Sequence, residues 1–167
     1  YVEVHDNNTL FDKLYYSLRN TTEFGELDKD RPDDAQLLET IKAQHKLAAF
    51  ILLTSQGVPV LHLGQDFMRT KHGVENSYNS PDKINAVVWK RKMEFIDVFN
   101  YYKNLIDLRK QNPVFSLPLD VDVRKAIEFR SDVFLPDNQN AIGYTLETDE
   151  KTLFVVINPY QYDISVN

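Results

Sequence analysis

This chain lacks two features that would have narrowed its class at once, cysteine and a long apolar run. Because the sequence contains no cysteine, a disulfide framework, a thiolate metal site and a thiol nucleophile are excluded. No segment is long and apolar enough to span a bilayer, so a transmembrane helix is not predicted. The lack of cysteine does not indicate the cellular compartment, since extracellular proteins need not contain disulfides.

The chain also has fewer basic than acidic residues. Lysine and arginine total 19 against 25 acidic residues, which gives a net charge of −6 and a pI near 5.2. This balance argues against nucleic acid or an anionic membrane as a partner, and it favours a neutral ligand. A hydrophobic content of 43% over 167 residues indicates a folded protein with one core or parts of two.

The opening segment is the most informative part of the chain. Residues 1–6 alternate like a strand and lead into His5, Asp6 and Asn7. In parallel α/β enzymes, polar residues at the carboxyl ends of strands carry the chemistry. Because a strand needs hydrogen-bonding neighbours on both sides, we expect the chain to be a piece of a larger enzyme.

Apolar periodicity predicts alternating strands and helices after this segment. Helices are expected at 10–18, from Pro32 to a stop at Gly57, and at 93–111, and a second buried strand at 58–63, followed by a polar loop from Gln65 to about Asn85. This β-α-β-α order predicts the last quarter of a (β/α)8 barrel, over residues 1–113. Short strands at 126–129, 141–145 and 152–157 predict an all-β module over residues 114–167, the start of a β-sandwich domain.

Taken by spacing alone, His5 and Asp6 have several interpretations. They could form a solvated turn, a general base with its orienting partner, or half of a metal site. Tyr78, Asn79, Asp82 and Asn85 are the residue types that hold neutral sugars, and equally the types that make turns. Structural roles are expected for the remaining histidines: core or interface positions for His45 and His62, and an isolated loop position for His72. Arg69 could pair with a local carboxylate or reach a sugar hydroxyl, and the structural role is favoured.

Three separated motifs resemble the α-amylase clan of glycoside hydrolases and, within it, the type I pullulanases. Tyr-Val-Glu-x-His-Asp-Asn at residues 1–7 is similar to the clan's seventh-strand motif, and the segment 57–66 to its eighth-strand motif, in which Glu is more usual than Asp66. The segments 64–71 and 75–85, together with 9–14, resemble the pullulanase subfamily, which cleaves α-1,6 branch links. The resemblance implies strands 7 and 8 of a (β/α)8 barrel with their helices.

The resemblance also implies roles for individual residues. Asp6 corresponds to the clan's third essential carboxylate, which holds sugar hydroxyls and stabilises the oxocarbenium-like transition state. His5 and Asn7 would contact the same sugar, and the α-glucan would meet further contacts later in the chain, at Tyr78, Asn79, Asp82 and Asn85.

In this clan the nucleophile and the acid/base come from the fourth and fifth strands, upstream of Tyr1. The chain alone is therefore expected to be inactive and to need the rest of the same enzyme. No cofactor is expected; calcium is possible in the parent, but no metal site is predicted here, because nothing matches an EF-hand loop. For a bacterial enzyme of this kind an extracellular or cell-surface location is favoured over the cytoplasm.

Two other functions stay open. The chain could be a non-catalytic carbohydrate-binding or accessory module, with the β region as its working part. It could also belong to another enzyme of the clan, namely an isoamylase, a branching enzyme or an α-1,4 amylase.

Overall fold

The computed structural model describes residues 1–166, and they form two compact units. One comprises Tyr1–Leu53 with Pro59–Asp107, and the other comprises Thr54–Val58 and the chain from Leu108 onward. The α-helices are α1 (Leu10–Arg19), α2 (Pro32–Thr54), α3 (Asp82–Asn85), α4 (Lys90–Glu94), α5 (Ile96–Gln111) and α6 (Asp120–Ala126). None of the helices within residues 1–166 has the length and apolarity needed to cross a membrane.

The first unit is built around a helical core. Helix α1 begins at Thr9, whose hydroxyl accepts a hydrogen bond from the backbone of Asp12, and it ends at Asn20 in the left-handed conformation. Its apolar face packs with those of α2 and α5 around Met68. The buried members are Phe11, Tyr15, Leu38, Ile41, Ala49, Leu53, Met68, Phe95, Val98, Tyr102 and Leu105.

The helix predicted at 93–111 is divided into α4 and α5. Phe95 departs from helical geometry, with φ −115° and ψ 40°. Its ring is buried, and the Arg91 guanidinium lies 4.8 Å from the ring centroid. We attribute the break to the burial of this ring, which periodicity along the sequence does not reveal.

The segments 1–6 and 58–63 were predicted as strands, but neither forms a hydrogen-bonded strand among residues 1–166. Tyr1, Val60 and Leu63 are instead exposed. A strand exists only where neighbouring backbone satisfies its donors and acceptors, and these two segments have no such neighbour within the described chain.

The second unit contains a three-stranded antiparallel sheet in the order β1-β2-β3. Its strands are β1 (Ile127–Phe129), β2 (Ile142–Glu147) and β3 (Thr152–Ile157), so the bounds predicted for the third strand are confirmed and the others shift by one or two residues. Helix α6 was not predicted. Acidic residues in its first turn and basic ones in its last suit the helix dipole. Asn167, the last residue of the predicted β domain, lies outside the described residues.

Candidate functional site

An open cavity of about 540 Å³ lies within the first unit, between the opening segment and the loop after His62. Its lining residues are His5, Asp6, Asn7, His62, Arg69, Lys71, Glu75, Asn76, Ser77, Tyr78 and Asn85. The structure thus brings the opening cluster together with two of the predicted sugar contacts, Tyr78 and Asn85. The other two, Asn79 and Asp82, do not line the cavity.

A tight turn lets His5, Asp6 and Asn7 face the same cavity. Adjacent residues of a strand point to opposite faces, but here Asn7 adopts a left-handed conformation, with φ +60°. His5 Nε2 lies 3.4 Å from Asp6 Oδ1, and the two side chains are 84% and 75% exposed. The Asp6 carboxylate is therefore accessible to a ligand in the cavity.

Three polar side chains, Glu3, His62 and Arg69, form a hydrogen-bonded row at the cavity wall. Glu3 is buried; its Oε1 lies 2.9 Å from His62 Nδ1, and its Oε2 accepts a hydrogen bond from the backbone of Leu10. On the other side of the imidazole, His62 Nε2 lies 3.3 Å from Arg69 Nη1. Because a guanidinium only donates, Nε2 is the acceptor and the Nδ1 proton of His62 is donated to Glu3. His62 therefore joins the opening segment to the loop.

Arg69 and Asn85 hold the shape of the loop. The Arg69 guanidinium donates to the carbonyl of Leu63 at 3.1 Å and to that of Asn85 at 2.5 Å. The Asn85 amide nitrogen donates to the carbonyls of Ser77 and Ser80, at 2.6 and 2.9 Å. Asn85 thus lines the cavity while its amide nitrogen is engaged by backbone, and the contacts of Arg69 fit the structural role expected for it.

Asp12 anchors the same loop to the first turn of α1. Its side chain is fully buried and accepts hydrogen bonds from the Thr70 hydroxyl at 2.5 Å and from the backbone of Lys71 at 2.9 Å and Gly73 at 3.3 Å. Gly73 has φ +75°, and the Tyr16 hydroxyl donates to its carbonyl at 3.2 Å. The loop that carries the far wall of the cavity is therefore fixed to a helix.

Sequence reasoning did not single out Lys71, whose side chain is buried against the cavity. Its ammonium donates to the carbonyls of His5 at 3.2 Å and Glu75 at 3.1 Å. Burial lowers the pKa of Lys71, although the nearby charges of Asp12, Asp6 and Glu3 act in the opposite direction. The sequence did contain a signal for Lys71, because this residue is the last of the 64–71 segment that resembles the pullulanases.

Asp66, which stands where the clan more often has Glu, does not line the cavity. Burial raises its pKa, with its own backbone N–H and Lys92 opposing the change. Its neighbour Gln65 is buried, and the Gln65 amide accepts from the backbone of His62 at 3.3 Å and donates to the Tyr102 hydroxyl at 3.0 Å. Among residues 1–166, no group of three or more His, Asp and Glu side chains is arranged to hold a metal ion.

Comparison with known proteins identifies the relatives of this chain. No family model matches it. The pullulanase of Bacillus subtilis (strain 168) is 37% identical over 162 residues, which are 95% of this chain. The solved pullulanase of Paenibacillus barengoltzii, in complex with maltohexaose and α-cyclodextrin, superimposes over 95% of the chain with a TM-score of 0.78 and 38% identity. Over nearly its whole length the chain is similar to one part of the pullulanases.

The predicted resemblance to type I pullulanases is thereby confirmed, and the arrangement of helices and antiparallel sheet is that of the corresponding part of a pullulanase. The chloroplastic isoamylase 3 of Oryza sativa subsp. japonica is 27% identical over a match that covers 68% of the chain. The chain spans about a fifth of its relatives' length, 20% of the Bacillus subtilis pullulanase and 22% of the Paenibacillus barengoltzii chain.

Proposed function

We propose that this chain forms part of a retaining glycosidase that hydrolyses α-1,6 branch links in pullulan, amylopectin and related α-glucans. In this proposal residues 1–113 supply strands 7 and 8 of the catalytic (β/α)8 barrel with their helices, and residues 114–167 begin the following β-sandwich domain. The exposed side chain of Tyr1 and those of Val58, Val60, Leu61 and Leu63 support it, because neighbouring barrel strands would cover them and would complete the backbone hydrogen bonds of both segments.

The observation that carries the proposal is the placement of His5, Asp6 and Asn7 in one cavity with Tyr78. Asp6 presents an accessible carboxylate, and it would accept hydrogen bonds from the ring hydroxyls of the glucose unit being cleaved. Contacts that strengthen as positive charge develops on that ring lower the barrier, whereas contacts of equal strength in the ground state do not. Asp6 is therefore the proposed transition-state stabiliser.

The neighbouring residues are proposed to bind the glucan. His5 and Asn7 would hydrogen-bond the same sugar, and the Tyr78 ring, which is 85% exposed, offers a flat face for another glucose unit. Asn79, Asp82 and Asn85 would add contacts along the loop. The Paenibacillus barengoltzii pullulanase was solved with maltohexaose bound, which supports an α-glucan as the ligand.

Hydrolysis itself needs two more carboxyl groups. A retaining glycosidase uses a nucleophile and an acid/base about 5–5.5 Å apart. Among the described residues that line the cavity, Asp6 and Glu75 are the only carboxylic acids, and Asp6 already has a role. The nucleophile and the acid/base are therefore assigned to the rest of the enzyme, and this chain by itself is expected to be inactive.

The test is the Asp6→Asn substitution in the full-length protein. We expect kcat on pullulan to fall at least about 1,000-fold, about 4 kcal/mol of transition-state stabilisation, with Tm changed by no more than a few degrees. Asp30→Asn, an exposed aspartate outside the cavity, is the matched control and should keep wild-type turnover. Near-normal turnover by purified Asp6→Asn would contradict the role, and product analysis on pullulan distinguishes α-1,6 from α-1,4 cleavage.

A further inference from the structure

A buried lysine lies directly behind the His5–Asn7 turn. The Lys71 side chain is 1% exposed, and its ammonium donates to the carbonyls of His5 and Glu75. These carbonyls belong to two separate segments that both line the cavity. One ammonium group therefore ties the segment that carries Asp6 to the loop that carries Tyr78.

The placement of this charge has an energetic cost. Within residues 1–166, Lys71 forms no ion pair with a carboxylate. Removal of an ammonium from water is unfavourable, and the nearby charges of Asp12, Asp6 and Glu3 offset only part of this cost. An apolar side chain of similar length would fill the same space without that penalty. A function for the charged, donating group accounts for its presence better than packing does.

Lys71 is itself held firmly. Its backbone N–H donates to the buried Asp12 carboxylate, which also binds the preceding residue, Thr70. The nearest other anchor of the His5–Asn7 turn among residues 1–166 is the Glu3 side chain, two residues before it, which is bonded to His62 and to the backbone of Leu10. In the described part of the chain, the bond from Lys71 is the one hydrogen bond that joins the backbone of this turn to the loop.

We propose that Lys71 is a positioning residue for Asp6, which it holds in place by fixing the His5 carbonyl against the loop. The proposal rests on the proposed function of Asp6. A carboxylate that acts in the transition state must be placed to within a fraction of an ångström, and a displacement of about 1 Å can reduce the rate about 100-fold. Loss of the Lys71 bonds should therefore lower kcat much more than it raises KM.

The test is a double-mutant cycle in the full-length protein with Lys71→Met, Asp6→Asn and the combined variant. Methionine keeps the length of the side chain and removes both the charge and the donors. We expect Lys71→Met to lower kcat on pullulan about 10- to 100-fold and to change KM by less than about threefold. In the Asp6→Asn background the same substitution should lower kcat less than about twofold, because it acts through Asp6.

Several results would overturn the proposal. Losses that multiply in the combined variant would show that Lys71 acts independently of Asp6, and normal turnover by Lys71→Met would show that it does not act at all. A distinct outcome, normal turnover by Asp6→Asn, would reject the proposed function of Asp6 itself.

The matched control is Lys42→Met. Lys42 is mostly buried in the same unit and pairs with Glu39 and Asp97, and it does not line the cavity. This variant should keep kcat and KM and lose only some thermal stability. If Lys71→Met does not fold, the cycle is repeated with Lys71→Gln, which retains an N–H donor. If neither variant folds, Lys71 determines the fold, and the positioning role is rejected.

Discussion

His45 makes the stability of the first unit dependent on pH. The side chain lies on α2, is fully buried, and has Nδ1 3.3 Å from the Tyr102 hydroxyl. That hydroxyl accepts from Gln65 and is placed to donate its own proton to His45 Nδ1. Within the described residues, His45 Nε2 has no hydrogen-bond partner. Burial lowers the pKa of His45 from 6.5 to about 3, and the charge of Arg91 adds to the effect.

The sign and size of the effect follow from the protons that each state binds. Below about pH 6.5 the unfolded chain protonates His45, whereas the folded protein keeps it neutral down to about pH 3. Stability therefore falls as pH drops below about 6.5, and the loss continues to about pH 3. Between pH 7.5 and pH 5 the free energy of unfolding should decrease by about 2 kcal/mol, from about 1.4 kcal/mol per pH unit. This figure requires only that the folded pKa lie well below 5.

The assay compares the wild-type full-length protein with His45→Phe, which keeps a ring at this position and cannot titrate. Unfolding by urea is followed at pH 7.5 and at pH 5, and the other titrating groups cancel in the difference. The two proteins can differ in stability at pH 7.5. From pH 7.5 to pH 5, the free energy of unfolding of the wild type should fall by about 2 kcal/mol more than that of His45→Phe.

His72→Gln is the matched control, because it replaces a partly exposed loop histidine, paired with Glu26, and leaves His45 in place. This variant should keep the acid sensitivity of the wild type. A difference between wild type and His45→Phe that does not change with pH would refute the reasoning.

Two further predictions concern the loop that carries the far wall of the cavity. Asp12→Asn should lower the free energy of unfolding by about 3 kcal/mol, because one of the oxygens that accept from Thr70, Lys71 and Gly73 becomes a donor; a loss below about 1 kcal/mol by urea unfolding would contradict this. Gly73→Ala should cost about 3 kcal/mol, because φ is +75° and a Cβ would collide with the Tyr16 hydroxyl. A Tm of Gly73→Ala equal to that of the wild type would contradict this, because it would show that the loop shifts to accommodate the added Cβ.

The helices show what local sequence can predict. The apolar spacing of residues 10–18 placed α1, although it did not reveal the cap at Thr9, and the start at Pro32 was correct for α2. Strand β3 was predicted with the correct bounds. The break at Phe95 was missed, because it depends on where the ring is buried and not on the neighbouring residues in sequence.

The candidate site was predictable in part. Three motifs marked His5, Asp6 and Tyr78, which the structure brings into one cavity. The supporting row of Glu3, His62 and Arg69 was not foreseen, since hydrogen bonds such as that between Glu3 and His62 join residues far apart in the chain. Nothing in a linear pattern reports which side of a loop faces a buried carboxylate.

The sequence by itself determined the family resemblance and the position of the three long helices α1, α2 and α5, because these depend on residue type and local spacing. Only the tertiary structure decided that Lys71 lies buried behind the Asp6 turn and that His45 is kept neutral on α2. Both results come from desolvation and from bonds between distant segments, which exist only once the chain has folded.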